Sequence, residues 1–387
     1  MAVNDDEGNA MKIVADENIG NVKELFAGFG EVQLMPGRVI NTAAVAEADM
    51  LLVRSVTKVD KALLAGSRVK FVGTCTIGMD HIDQNYLRSQ GIGFASAPGC
   101  NANAVVDYVL CALATLALEQ SICLATKTLG IVGLGNVGSR LKIRAEALGL
   151  TCICCDPILQ RQGQKGLIPL AELIAKADII SLHTPLTLDG EDATYHLLNS
   201  KSLAQIKHNA ILINSARGEV LDNKALSQLL QERRDISAVL DVWESEPTIA
   251  PDLLKQVQIA TPHIAGYSLE GKLQGTAMVY RGACDFFGYP QQEFINLFPP
   301  YKEVLFVAGQ DESWEEIVYR MMLACYDIGR DSAALKSLTQ YSPEQIGTAF
   351  DRLRKEYSLR REFNQTKIIS SAIQPELRLK LAVLGLQ

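Results

Sequence analysis

The chain lacks several things, and each lack narrows what it does. It has no excess of positive charge: 37 Lys and Arg stand against 44 Asp and Glu, a net charge of -7. That leaves no basic footprint for nucleic acid or an anionic membrane, and anionic small molecules must be met by local cations or backbone amides. It has no run of membrane-spanning length. The most apolar stretch, "AVVDYVLCALATLAL" at 104 to 118, contains Asp107 and falls short of the roughly 20 residues that cross a bilayer, so it predicts a buried helix. Its first residues are not expected to act as a secretory signal: "MAVNDDEGNA" is polar and acidic, so residues 1 to 10 are expected to form a disordered tail, with the cytoplasm as the default location. Internal repeats and low-complexity tracts are missing too. Its nine cysteines are odd in number and scattered, which predicts reduced thiols. Cys152, Cys154 and Cys155 in "TCICCDP" lie in a strand-like run with no second cluster to complete a metal site, so no metal is expected.

What is present is an ordinary globular composition, 48% hydrophobic and 21% charged, on a chain of 387 residues, more than one hydrophobic core usually organises. From Met11 short β-rich runs ("MKIVADE", "EVQLMP", "MLLVRS", "VKFVGT", "IGFASA") alternate with helix-like segments. After the apolar helix a second series follows: "TLGIVGLG", "LTCICCDP", "DIISLHTP", "AILINSAR", "ISAVLDVW" and "VQIATPHI". This alternation predicts two α/β domains, each with a doubly wound parallel sheet. Beyond residue 291 the pattern becomes a small α+β unit with no catalytic signature, in which Ser342, Pro343 and Gln345 form a helix-start signal.

"GIVGLGNVGSRL" places Gly133, Gly135 and Gly138 in G-x-G-x-x-G spacing, with Asn136 and Val137 between them, directly after a strand and opening a helix. The first glycine permits a tight turn, the second lets backbone approach a pyrophosphate, and the third lets helix and strand pack closely. The next strand ends at Asp156, where a carboxylate accepts hydrogen bonds from ribose hydroxyls and repels a 2′-phosphate. NAD is therefore expected, rather than NADP.

Strand ends of the second sheet should carry the chemistry. "INSARGEV" puts Arg217 after one strand, "DVWESEP" puts Asp241 and Glu246 after the next, and "ATPHIAGYS" puts His263 after the last. A guanidinium that grips a carboxylate, an imidazole that takes a hydroxyl proton and an acid that orients the imidazole suit oxidation of a 2-hydroxy acid beside a nicotinamide. Each alone also has a structural reading, as a strand cap, a loop acid or a structural histidine. Of the other four histidines, His183 is expected to shape the cofactor cleft, His81 to fix a loop, and His196 and His208 to lie on the surface.

With "GLGNVG", "ARGEVLD", "DVWESEP" and "TPHIAG" in this order, residues 11 to 290 resemble the D-isomer-specific 2-hydroxyacid dehydrogenases. "VADEN", "LVRSVTKV", "FVGTCTIGMDHID", "APGCNANAVVDYV" and "HIAGYSLEGK" narrow the likeness to the 4-phosphoerythronate dehydrogenases. The resemblance implies NAD-dependent oxidation of 4-phospho-D-erythronate to 3-hydroxy-2-oxo-4-phosphooxybutanoate in pyridoxine biosynthesis. It implies a flavodoxin-like substrate domain (11–102 and 268–290), a Rossmann NAD domain (103–267) and a C-terminal dimerisation domain (291–387). It makes Arg217, Glu246 and His263 catalytic and Ser55, Thr76 and Tyr267 substrate-binding. Asp156, Thr184, Ser215, Ala216, Arg217, Asp241 and Gly266 join the glycine loop at the cofactor. Ser245 departs from the family, which commonly has glycine there. Arg352, Arg360 and Arg361 are candidates to reach a partner subunit's substrate phosphate. D-3-phosphoglycerate dehydrogenase remains the enzymatic alternative, and an NAD-sensing corepressor-like binding protein the alternative of another class.

Overall fold

The computed structural model describes residues 10–293, 298–309, 311–358, 360–370, 373 and 375–387, so the expected tail falls outside it apart from Ala10. The chain forms two compact units, one of residues 1–101 and 270–299 and the other of 102–269 and 300–387.

The first unit is built on β1 (Met11–Asp16), β2 (Gly30–Met35), β3 (Met50–Val53), β4 (Phe71–Thr74) and β5 (Gly93–Ala95), all parallel in the order β2-β1-β3-β4-β5. This is the flavodoxin-like order, with its reversal between β1 and β3. Every residue of β3 and β4 is buried, as strands covered on both faces require. Gly73 sits in β4 because a Cβ there would lie 2.3 Å from Val279 of the helix Leu269–Phe287, whose later turns cover this sheet.

The second unit holds β6 (Thr128–Val132), β7 (Thr151–Cys155), β8 (Ile179–Leu182), β9 (Ile211–Asn214), β10 (Ser237–Leu240) and β11 (Ile259–Ala260), parallel in the order β11-β10-β9-β8-β6-β7. A single bridge from Cys154 to Leu167 adds the stub of one more strand outside β7, which completes the Rossmann order. The topological reversal, where ligands bind such sheets, lies between β6 and β8. All nine cysteines are free thiols, those of β7 included.

Residues from 291 onward read in sequence as a domain, and those at 300–387 pack into one compact body with the Rossmann sheet. The reason is the helix Ala102–Gln120. It is long and apolar enough by composition to cross a membrane, but it is buried. A helix apolar on every side needs cover on every side. The helix Trp314–Cys325 supplies part of it through Val318, Met321 and Met322. Asp107, the buried acid of that helix, bonds Arg144 at 2.5 Å and accepts the backbone N–H of Phe363 at 2.9 Å, so its charge is paired and pins the C-terminal segment. Burial pushes its carboxyl up to about 6 in spite of the Arg144 charge. The same segment forms a two-stranded parallel sheet of β12 (Lys302–Leu305) and β13 (Thr366–Ile369) and a helix Pro343–Lys355, whose start is set by Ser342 N–H donating to Gln345 Oε1 at 3.1 Å.

Candidate active site

The glycine turn follows β6. Gly133 has φ of +90°, and a Cβ on it would meet the His183 carbonyl oxygen at 2.8 Å; one on Gly138 would lie 2.0 Å from the Gly133 carbonyl oxygen. Gly135 faces nothing within 4 Å, so open space lies before the helix Asn136–Ala147. The first N–H groups of that helix, Asn136 and Val137 among them, have no acceptor within it and suit an anion. Asp156 caps the next helix through Leu159 N–H at 3.0 Å and takes the Leu134 N–H of the glycine turn at 3.0 Å, which holds its carboxylate beside the loop. At the ends of neighbouring strands β8 and β9, the Thr184 and Ser215 hydroxyls are buried and have no hydrogen-bond partner. Such groups are costly unless a ligand satisfies them. The open glycine turn, the acid and the two unsatisfied hydroxyls fit a dinucleotide.

After β9, Asn214 braces the loop: its side chain accepts Ala216 N–H at 3.1 Å and donates to the Arg217 carbonyl at 2.9 Å. Arg217, half-exposed, donates from Nη1 to the Ala216 carbonyl at 2.7 Å. Gly218 must be glycine, because a Cβ would lie 2.1 Å from the Trp243 carbonyl group. This close approach brings the Arg217 loop against the loop after β10.

On that loop Glu246 accepts Trp243 N–H at 2.7 Å through Oε1 and holds His263 Nδ1 at 2.8 Å through Oε2. Burial alone would raise the Glu246 carboxyl, but the His263 and Arg354 charges and its hydrogen bonds bring it below its ordinary value. It is therefore ionised at neutral pH, and its stabilising contribution fades only as pH falls through that lowered value. A carboxylate only accepts, so neutral His263 carries its hydrogen on Nδ1 and presents a lone pair at Nε2. His263 has φ of +55°, left-handed backbone that costs a non-glycine residue about 1–2 kcal/mol. Asp241 holds it there: its carbonyl takes His263 N–H at 2.7 Å, and its carboxylate takes Ile264 N–H, Ala265 N–H and the Thr261 hydroxyl at 2.8, 2.9 and 2.6 Å. Asp241, assigned to the cofactor from sequence, also shapes the turn, which engages both of its oxygens. Ser245 has φ of +62°, which explains why glycine is common at its position.

The other histidines differ. Burial pushes the His183 imidazole down to about 3, so it stays neutral, 2.8 Å from Ser181 Oγ. His196, expected on the surface, is half-buried, stacked on Tyr195 at 4.1 Å and bonded to Glu244 at 2.6 Å. His208 is exposed. In the first unit, His81 Nε2 lies 3.0 Å from the Thr74 hydroxyl, which is 3.0 Å from that of Thr76. Ser55 is exposed, and Ser55 and Thr76 follow the adjacent strands β3 and β4.

Two C-terminal arginines, Arg360, which sequence reasoning directed to a partner subunit, and Arg354, which it did not single out, reach the 264–267 turn of their own chain, which carries Gly266 and Tyr267. Arg360 donates from Nη1 to the carbonyls of Ile264 and Tyr267 at 3.0 and 3.2 Å, and from Nη2 to those of Ala104, at 2.9 Å, and Ala265. Its guanidinium lies 4.2 Å from the centre of the Tyr326 ring. A side chain so engaged in its own chain cannot reach a partner subunit, which corrects that expectation for Arg360. Arg354 donates to the Tyr267 hydroxyl at 3.1 Å.

Residues 116–265 match the family model of the D-isomer specific 2-hydroxyacid dehydrogenase NAD binding domain, and residues 299–385 match a domain of unknown function. An erythronate-4-phosphate dehydrogenase of Pseudomonas fluorescens is 48% identical over 97% of this chain and 99% of its own length. One from Chromohalobacter salexigens is 46% identical over 92% of this chain and 94% of its own. Among solved structures, an NAD+-bound 3-phosphoglycerate dehydrogenase of Entamoeba histolytica aligns with a TM-score of 0.62 and 26% identity, covering 72% of this chain and 96% of that one. A Staphylococcus aureus formate dehydrogenase, with a TM-score of 0.61 and 23% identity over 73% of this chain and 98% of that one, shares the fold. The glycine turn, the unsatisfied hydroxyls of Thr184 and Ser215, the His263–Glu246 pair and 48% identity over nearly the whole chain place this chain among the NAD-dependent D-isomer specific 2-hydroxyacid dehydrogenases, in the erythronate-4-phosphate dehydrogenase family.

Proposed function

We propose that this enzyme oxidises 4-phospho-D-erythronate to 3-hydroxy-2-oxo-4-phosphooxybutanoate, a step of pyridoxine and pyridoxal 5′-phosphate biosynthesis, in the cytoplasm. The observation that carries the reaction class is the 2.8 Å pair of His263 Nδ1 and Glu246 Oε2. NAD, when bound, supplies the hydride acceptor. Nε2 of His263 takes the proton of the C2 hydroxyl as the C2 hydride departs, leaving a 2-oxo acid, and the ionised Glu246 stabilises the imidazolium that forms. Arg217 grips the substrate carboxylate and polarises the forming carbonyl. Gly133, Gly135, Asn136, Val137 and Gly138 cradle the cofactor diphosphate, Asp156 its ribose, and Thr184, Ser215, Ala216, Asp241 and Gly266 line the rest of its site. Ser55, Thr76 and Tyr267 contact the substrate.

The erythronate substrate is supported by the names of relatives of nearly the same length. Nicotinamide reduction is followed with 4-phosphoerythronate and 3-phosphoglycerate in parallel. Turnover of the first is expected to exceed that of the second, and the reduction direction is run as well because oxidation is uphill. Preference for phosphoglycerate would reassign the substrate, and inactivity with both would return the protein to the NAD-sensing class. We also propose a homodimer formed through the C-terminal residues, supported by Leu305, Val307 and Leu379, which are 79, 82 and 75% exposed there. A mass of one chain in light scattering would exclude it.

A further inference from the structure

The C-terminal residues match a domain of unknown function and carry no catalytic motif, yet two of their arginines end at the turn beside His263. Arg360 is explained as a brace, since backbone carbonyls take its donors. Arg354, on the helix Pro343–Lys355, is not. Its Nη2 donates to the Tyr267 hydroxyl at 3.1 Å, its guanidinium carbon lies 5.7 Å from the centre of the Tyr267 ring, and its Nε is buried with no hydrogen-bond partner. The Nε of Arg360 is buried without a partner too, so the two arginines differ in what their terminal nitrogens meet: backbone carbonyls for Arg360, the hydroxyl of a side chain in the proposed substrate site for Arg354. Here a cation donates to a phenol that still carries its own O–H as a donor.

We propose that Arg354 is a positioning residue for the dehydrogenase reaction. By occupying a lone pair of the Tyr267 oxygen it turns the phenol O–H away from itself and toward an oxygen of the bound anionic substrate. The proposal rests on the reading of Tyr267 as a substrate contact. The chemistry follows from the phenol's inventory of one donor hydrogen and two acceptor lone pairs: with a guanidinium donating to one lone pair, the O–H must point elsewhere, and it is the one hydrogen the hydroxyl can give to an acceptor. A carboxylate or phosphate oxygen of a phosphorylated hydroxy acid is such an acceptor, and a neighbouring cation strengthens that bond. The same positive charge acts on Glu246, helping to keep ionised the carboxylate that orients His263. On this account the C-terminal segment takes part in substrate recognition within its own chain, and the cation it contributes is set one residue back from the substrate.

The test is a double-mutant cycle in the full-length enzyme with 4-phosphoerythronate, or with 3-phosphoglycerate if that is the acid turned over. Arg354→Met is expected to raise KM about 10- to 100-fold, as loss of a charge-assisted hydrogen bond does, with kcat changed by less than about threefold. Arg354→Lys, which still donates to the phenol, is expected to recover most of the loss. In a Tyr267→Phe background Arg354→Met is expected to add less than about threefold, because the group it acts through is gone. An unchanged KM in Arg354→Met, or a loss undiminished beside Tyr267→Phe, would overturn the proposal. NAD affinity, read by fluorescence quenching, reports whether each variant is folded; if Arg354→Met is not, the cycle is run with Arg354→Gln. His263→Ala separates the two readings: full activity there removes the active-site assignment itself, whereas an inactive His263→Ala with an unaffected Arg354→Met removes this inference alone.

Discussion

Alanine at His263 is expected to lower kcat about 10²- to 10⁴-fold, the usual worth of a positioned proton-transfer group, while NAD affinity stays within about twofold. The expectation follows from which nitrogen is engaged. Glu246 holds Nδ1, so Nε2 is the atom available to the substrate hydroxyl. His183 cannot substitute, because its buried imidazole takes up a proton only near pH 3. Glu246→Gln keeps an acceptor for Nδ1 but removes the charge that stabilises the imidazolium, so a smaller loss is expected. Steady-state rates of nicotinamide reduction check both. A His263→Ala enzyme as fast as the parent would remove the imidazole from the mechanism.

Leucine at Arg360 is expected to destabilise the second unit by about 3–5 kcal/mol, the range found when one member of a buried charged network is removed. Four backbone carbonyls lose their donor together, three of them in the 264–267 turn. Tyr326 loses the cation on its face, and Asp107 loses a neighbouring positive charge. In a body of this size the melting temperature should fall by roughly 10 °C. Activity per folded molecule should fall too, since the turn that carries Tyr267 is released. Lysine at this position is expected to recover little, because a single ammonium cannot span carbonyls that a planar guanidinium reaches from two nitrogens. Thermal unfolding followed by circular dichroism measures the effect, and an unchanged transition would show that the turn needs no brace.

Local chemistry made much of the site legible. Gly133 and Gly138 are required by the backbone beside them, and the strand-end positions of Arg217, Glu246 and His263 follow from parallel-sheet geometry. Asp241 was visible, but its hold on the turn was not: three bonds to residues 261–265 form only after β10 and β11 lie side by side. The surface reading of His196 failed for a similar reason, since its partner Glu244 is 48 positions away in sequence.

The sequence by itself determined the two parallel α/β sheets, the NAD-binding turn and the order arginine, acid, histidine, because glycine spacing, strand runs and strand ends are short-range properties of the chain. Only the tertiary structure decided where residues 300–387 belong. The helix at 102–120 is apolar all round, and burying it draws the C-terminal segment onto the Rossmann sheet, so that Arg354 and Arg360 arrive at a turn roughly 90 residues earlier in the chain. No local pattern marks an arginine whose acceptors are backbone carbonyls and a phenol that distant in sequence.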